Sequence, residues 1–98
     1  MKDTKKLSII LSNDELFELQ QHLWLLASEN ETLAYWLDEY EGEDPLTLSR
    51  QDTADILTLL SEVLNDETLY ADRTSTQYKA LQQLHARLLQ GSQTLWKA

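Results

Sequence analysis

The chain has 98 residues, of which 42% are hydrophobic, and a formal net charge of -9. That is enough apolar content for one small core, and the acid excess works against binding nucleic-acid phosphates or anionic lipid surfaces. There is no cysteine, and only two glycines and one proline; this excludes disulfides and zinc–thiolate sites, fits a reducing cytoplasm, and favours long helices over a many-turned sheet.

Residues 5–11 alternate as a short strand, with Leu7, Ile9 and Leu11 on one side and Ser8 and Ile10 on the other. The apolar run from Leu7 to Leu11 is too short for a signal-peptide core or a membrane span. Ser12 to Glu15 then reads as a capping box, so a helix is predicted from Asn13. Leu16, Leu19, Leu23, Leu26, Asn30, Leu33, Leu37 and Tyr40 continue in steps of three and four. Two readings of this stretch stay open. One is a continuous helix over 13–41, about 42 Å long, with Asn30 at an a-type heptad position. The other breaks or kinks near 28–30, where Ser28 to Glu31 forms a second capping box.

Gly42 is placed to end the helical region and Pro45 follows it. Residues 46–48 are expected to be extended, and Ser49 caps a helix running to about Leu64. The 37-residue offset between Leu11–Glu15 and Leu48–Asp52 repeats one pattern, an extended piece feeding a capped helix. The two extended pieces are therefore expected to pair as a ribbon, 5–11 with 46–48. Residues 65–73 read as a polar turn, with Leu69 and Tyr70 tucked inward. Thr74 to Gln77 suggests another capping box, and a helix is predicted over 75–90, terminated by Gly91. Trp96, near the end, implies that the tail docks. The fold expected is one mainly α domain over 1–98, a small antiparallel bundle of three or four helices with a short two-stranded ribbon.

Charge is divided along this plan. Between Leu7 and Ser49 there are ten carboxylates and no lysine or arginine; from Arg73 to Ala98 there are four basic residues and no acidic one. Within the acidic half, Asp38, Glu39, Glu41, Glu43 and Asp44 gather at a helix C-terminus, where negative charge opposes the helix dipole. Beside them stand Tyr35, Trp36 and Tyr40. Aromatic rings flanked by carboxylates suit an Arg- or Lys-rich partner through ion pairing and cation–π contact. The alternative is that the rings face the core and the acids merely solvate a loop. Phe17, Trp24 and Leu25 give the neighbouring helix more apolar surface than one packing partner covers, which makes them candidates for a homodimer interface.

Catalysis and metal binding have no comparable candidate. His22 and His85 are the only histidines, and no glycine-framed serine accompanies either. Glu18 and His22, four residues apart, supply half a metal site at most. The acids of 38–44 lack the alternating Asp register and glycine of a calcium loop. No cofactor is implied.

Lys5 to Leu33 loosely resembles a ribbon-helix-helix DNA-binding unit: an alternating strand, Leu11 and Ser12 before an acidic first turn, Leu16 and Leu19, a break near 28–30, then Leu33. The resemblance implies a DNA-binding regulator whose outward strand residues read bases. Here those positions are Ser8 and Ile10, and the following helices carry no basic residue, so phosphate contact is penalised. The function expected instead is a non-enzymatic acidic interaction module, cytoplasmic, that regulates, inhibits or adapts a basic protein surface. One form of this is mimicry of nucleic-acid charge.

Overall fold

A computed structural model describes residues 5–42, 44–66, 68–69 and 72–96. The element order is β1 (Leu7–Ile9), α1 (Asn13–Gln20), α2 (Leu23–Ala27), α3 (Glu31–Glu39), β2 (Leu46–Leu48), α4 (Arg50–Asn65) and α5 (Thr76–Leu95). The fold is mainly helical with a small two-stranded antiparallel ribbon.

The ribbon forms where alternation placed it. Leu7 lies opposite Leu48, Ser8 opposite Thr47, and Ile9 opposite Leu46. Ile9, Leu46 and Leu48 are buried while Ser8, Ile10 and Thr47 face solvent, the period-two pattern of a sheet with one wet face. Each strand feeds a capped helix. The Ser12 hydroxyl accepts from Glu15 N–H at 3.2 Å, and the Glu15 carboxylate accepts from Ser12 N–H at 2.8 Å. The Ser49 hydroxyl likewise accepts from Asp52 N–H.

The 13–41 stretch is neither one helix nor two but three short ones. The break near 28–30 is present, and its cap is Asn30 rather than the Ser28–Glu31 box. Asn30 accepts from Leu33 N–H at 3.2 Å, while its amide donates to Asp52 at 3.0 Å and Asp55 at 2.9 Å on α4. Asn30 is thus a helix cap tied to a neighbouring helix, not a seam residue of a heptad. A second break, which no glycine or proline announces, falls at 21–22: Gln21 and His22 donate back to Glu18 and Leu19 in tight i−3 turns. This bend buries His22 and Glu18. Burial lowers the His22 pKa from the usual 6.5, with the Glu18 charge opposing the shift. A depressed histidine pKa stabilises the fold above the unfolded value and loses that contribution as pH falls through the folded one. Wild-type stability is therefore expected to drop as pH falls below 6.5 by more than that of His22→Gln, compared by urea midpoints at each pH.

α4 and α5 form the most extensive helix pair, α5 also covers α1 and β1, and α2 packs on α3 and α4. One core joins them, with Leu37, Leu48, Leu60, Val63, Leu81 and Leu84 fully buried. The loop between α4 and α5 is built on two Asp-x-Thr turns, Asp66 with Thr68 and Asp72 with Thr74. Because Thr74 is spent on Asp72, the cap of α5 shifts to Ser75, whose hydroxyl accepts from Tyr78 N–H. Leu69 is 43% exposed rather than tucked inward; Tyr70 lies outside the described residues. Trp96 is buried, as expected of a docked segment.

Gly91 does not end α5, which runs four residues further. A Cβ at Gly91 would lie 3.0 Å from Leu7 Cδ1. The glycine is there so that the strand can approach the helix, not to terminate it.

Candidate functional site

The acidic–aromatic segment is positioned by α3 and the turn after it. Leu33, Ala34 and Leu37 bury one face of α3, which leaves Tyr35, Trp36, Asp38 and Glu39 exposed. The helix ends at Tyr40, whose backbone is extended, and Gly42 takes a φ of +83° two residues later. That left-handed conformation is cheap only for glycine, and it turns the chain back toward β2.

Two side-chain contacts fix this turn. The Gln20 amide, at the end of α1, donates to the carbonyls of Leu37 (3.0 Å) and Tyr40 (3.3 Å). Both carbonyls lie at the C-terminal end of α3, where the regular i+4 partners run out; that of Leu37 also accepts from Tyr40 N–H. The Tyr40 hydroxyl donates to the backbone carbonyl of Asp44 across the loop. Partial burial, and then the Asp44 charge, raise the Tyr40 pKa above its usual value.

The result is a notch of about 260 Å³ lined by Trp36, Glu39, Tyr40, Glu41 and Asp44. It has room for the head group of a side chain. Three carboxylates and two aromatic rings surround it. A planar guanidinium is the group that uses both, stacking on an indole or phenol face while pairing with carboxylate oxygens.

Five of the eight residues expected at this site therefore converge. Tyr35, 70% exposed, and Asp38 do not line the notch. Glu43 lies outside the described residues. The clamping residue Gln20 was not anticipated; as one helical glutamine among several, its role becomes visible only when the end of α3 is placed beside it.

Phe17, Trp24 and Leu25 border two different clefts. Phe17 lines a shallow cleft with Asp14, Glu18, Thr76 and Gln77. Trp24 and Leu25 line another with Glu62, Val63, Asp66 and Leu69. The bend at 21–22 divides the helix that would have carried all three on one continuous surface. Phe17 and Trp24 are nevertheless 61% and 67% exposed, while Leu25 packs partly against the core.

The basic half of the chain is also partly spent on the fold. Arg87 bonds Glu15 and the Ile10 carbonyl, and Arg73 bonds the Tyr78 hydroxyl with its guanidinium 5.2 Å from the ring centre. Among the described residues, no three His, Asp or Glu side chains converge as metal ligands, and no helix is long and apolar enough to cross a membrane. Compared with known proteins, the chain matches no family model, no curated protein and no solved structure.

Proposed function

We propose that this protein is a non-enzymatic interaction module that docks an arginine- or lysine-rich segment of a partner protein in the Trp36–Tyr40–Asp44 notch. By occupying that basic surface it regulates, inhibits or adapts the partner. The observation that carries this reading is the convergence of Glu39, Glu41 and Asp44 with Trp36 and Tyr40 around one recess. Acids in the last turn of α3 work against the helix dipole, and no basic residue offsets them there. A site that needs a cation is a physical reason to keep them.

Opposite signs test it. Changing Asp38, Glu39 and Glu41 to Gln is expected to raise the unfolding free energy by a few tenths of a kcal/mol per residue, by relieving the dipole and mutual repulsion. The same variant is expected to bind a fluorescein-labelled oligoarginine peptide about tenfold or more weakly. Binding to the native protein should fade as salt rises. Unchanged peptide binding by a folded variant would refute the reading. Under the same reading duplex DNA is not a ligand, so an electrophoretic shift at low salt is expected to be absent.

Self-association belongs to this proposal too. Trp24 projects beside a cleft containing Leu25 and Leu69, and such exposed apolar surface favours a second copy. Light scattering is expected to show mass rising with concentration toward a homodimer, and Trp24→Ser to abolish the rise. A constant monomer mass over a wide concentration range excludes it.

A further inference from the structure

A second recess, on the other half of the fold's elements, is far from acidic. A groove of about 700 Å³ runs between residues 5–9 and one stripe of α5: Arg87, Gln90, Gly91, Thr94 and Leu95. Those α5 positions recur at helical spacing and so share a face. Lys5 and Lys6 stand at the mouth, both exposed, and no carboxylate is among the groove's described lining residues. In a chain with 17 acidic and 8 basic residues, a recess with two exposed lysines at its mouth is a departure; its third cation, Arg87, is engaged by Glu15 and the Ile10 carbonyl.

The strand bordering it has an open edge. The sheet order is β1-β2, so β1 is paired on one side, and among the described residues no strand pairs with its other side. An unpaired strand edge is a template for another chain. The floor is suited to that: Gly91 lets Leu7 sit against α5, which leaves a low apolar surface between the edge and the helix. Residues 5–9 offer roughly 16 Å of extended backbone at about 3.3 Å per residue.

We infer that this groove is a second docking site, independent of the Trp36 notch, for an extended acidic segment of another protein that adds as a strand to β1. Main-chain bonds go to the free edge, alternate apolar side chains lie on the α5 stripe, and carboxylates meet the Lys5–Lys6 end. The chain then joins two partners of opposite charge, a basic one at the notch and an acidic one at the groove.

The test uses three labelled peptides and fluorescence anisotropy: one of alternating valine and glutamate, the same peptide N-methylated at its backbone amides, and one of alternating valine and lysine. The glutamate peptide is expected to bind, and to protect from hydrogen exchange those amides of residues 7–9 that point away from β2. The other two are expected to bind at least about tenfold more weakly. Substituting Lys5→Glu with Lys6→Glu, both at exposed positions, should weaken binding by a similar factor while circular dichroism stays unchanged. The peptide series on the unmodified protein decides the matter even if that variant misfolds. Equal affinity for the N-methylated peptide, or no affinity for the glutamate peptide, overturns the proposal. So does protection of residues 7–9 without peptide that grows with protein concentration, since a second copy would then occupy the edge.

Discussion

Leu60→Ala is expected to cost about 2–5 kcal/mol of unfolding free energy, the usual range for truncating a buried leucine. Leu60 is fully buried on α4, with Ile56 and Val63 on the same face. α4 packs on α5, α2 and β2, so a void there is bordered by several elements that cannot all close in. Domains of this size usually hold only about 5–15 kcal/mol in total, so the variant should lose a large share of its margin. Urea denaturation followed by circular dichroism measures it, with Leu57→Ala, a half-buried neighbour on the same helix, as the milder comparison. Equal losses for the two would mean that the α4–α5 seam is not the centre of the core.

The second large effect is expected at a charge. Glu15 is 1% exposed. Its Oε1 accepts from Ser12 N–H and from Arg87 Nη1 at 2.6 Å, and Oε2 is buried without a hydrogen-bond partner among the described residues. A carboxylate in that position depends on its cation. Arg87 also donates to the Ile10 carbonyl at 2.6 Å, so one guanidinium ties α5 to the turn between β1 and α1. Arg87→Met keeps most of the side-chain bulk and removes the charge. It is expected to cost about 3 kcal/mol, the low end for breaking a buried pair, because the arginine is 37% exposed. Adding Glu15→Gln should recover most of that loss, since a neutral amide can still accept from Ser12 and no charge is left stranded. A double-mutant cycle by chemical denaturation measures the coupling. Simple additivity would show that Glu15 does not rely on Arg87.

What could be read from the chain, and what could not, follows from the range of the interactions involved. The Ser12 box, the Ser49 cap and the pairing of the two extended pieces are written in neighbouring residues and in the 37-residue echo, and the structure places them there. Asn30 is different. In isolation it fits a heptad seam; what makes it a cap is the pair Asp52 and Asp55 on α4, more than twenty residues away. The bend at 21–22 has no local breaker because it is imposed by the packing of α1 against α5 and of α2 against α3. Gly91 reads as a terminator until Leu7 is brought against it. The candidate site divides the same way. Its charge and aromatic content are local and legible, but the recess depends on Gln20 reaching the end of α3 and on the Tyr40 hydroxyl closing over Asp44.

The Glu15–Arg87 contact also orders events during synthesis. Its two ends are separated by 72 residues, which at about 5–20 residues per second is roughly 4–14 s of translation. For that interval Leu16 and Leu19 have no α5 to cover them, and Glu15 has no cation. The emerging segment from Leu7 to Ser49 carries ten like charges and no opposite one. Nascent copies on neighbouring ribosomes therefore repel each other during the seconds when their apolar faces are bare. The segregation of charge that shapes the finished surface also acts as a temporary guard against aggregation, withdrawn when Arg73, Lys79 and Arg87 arrive and the helix that carries two of them closes the core.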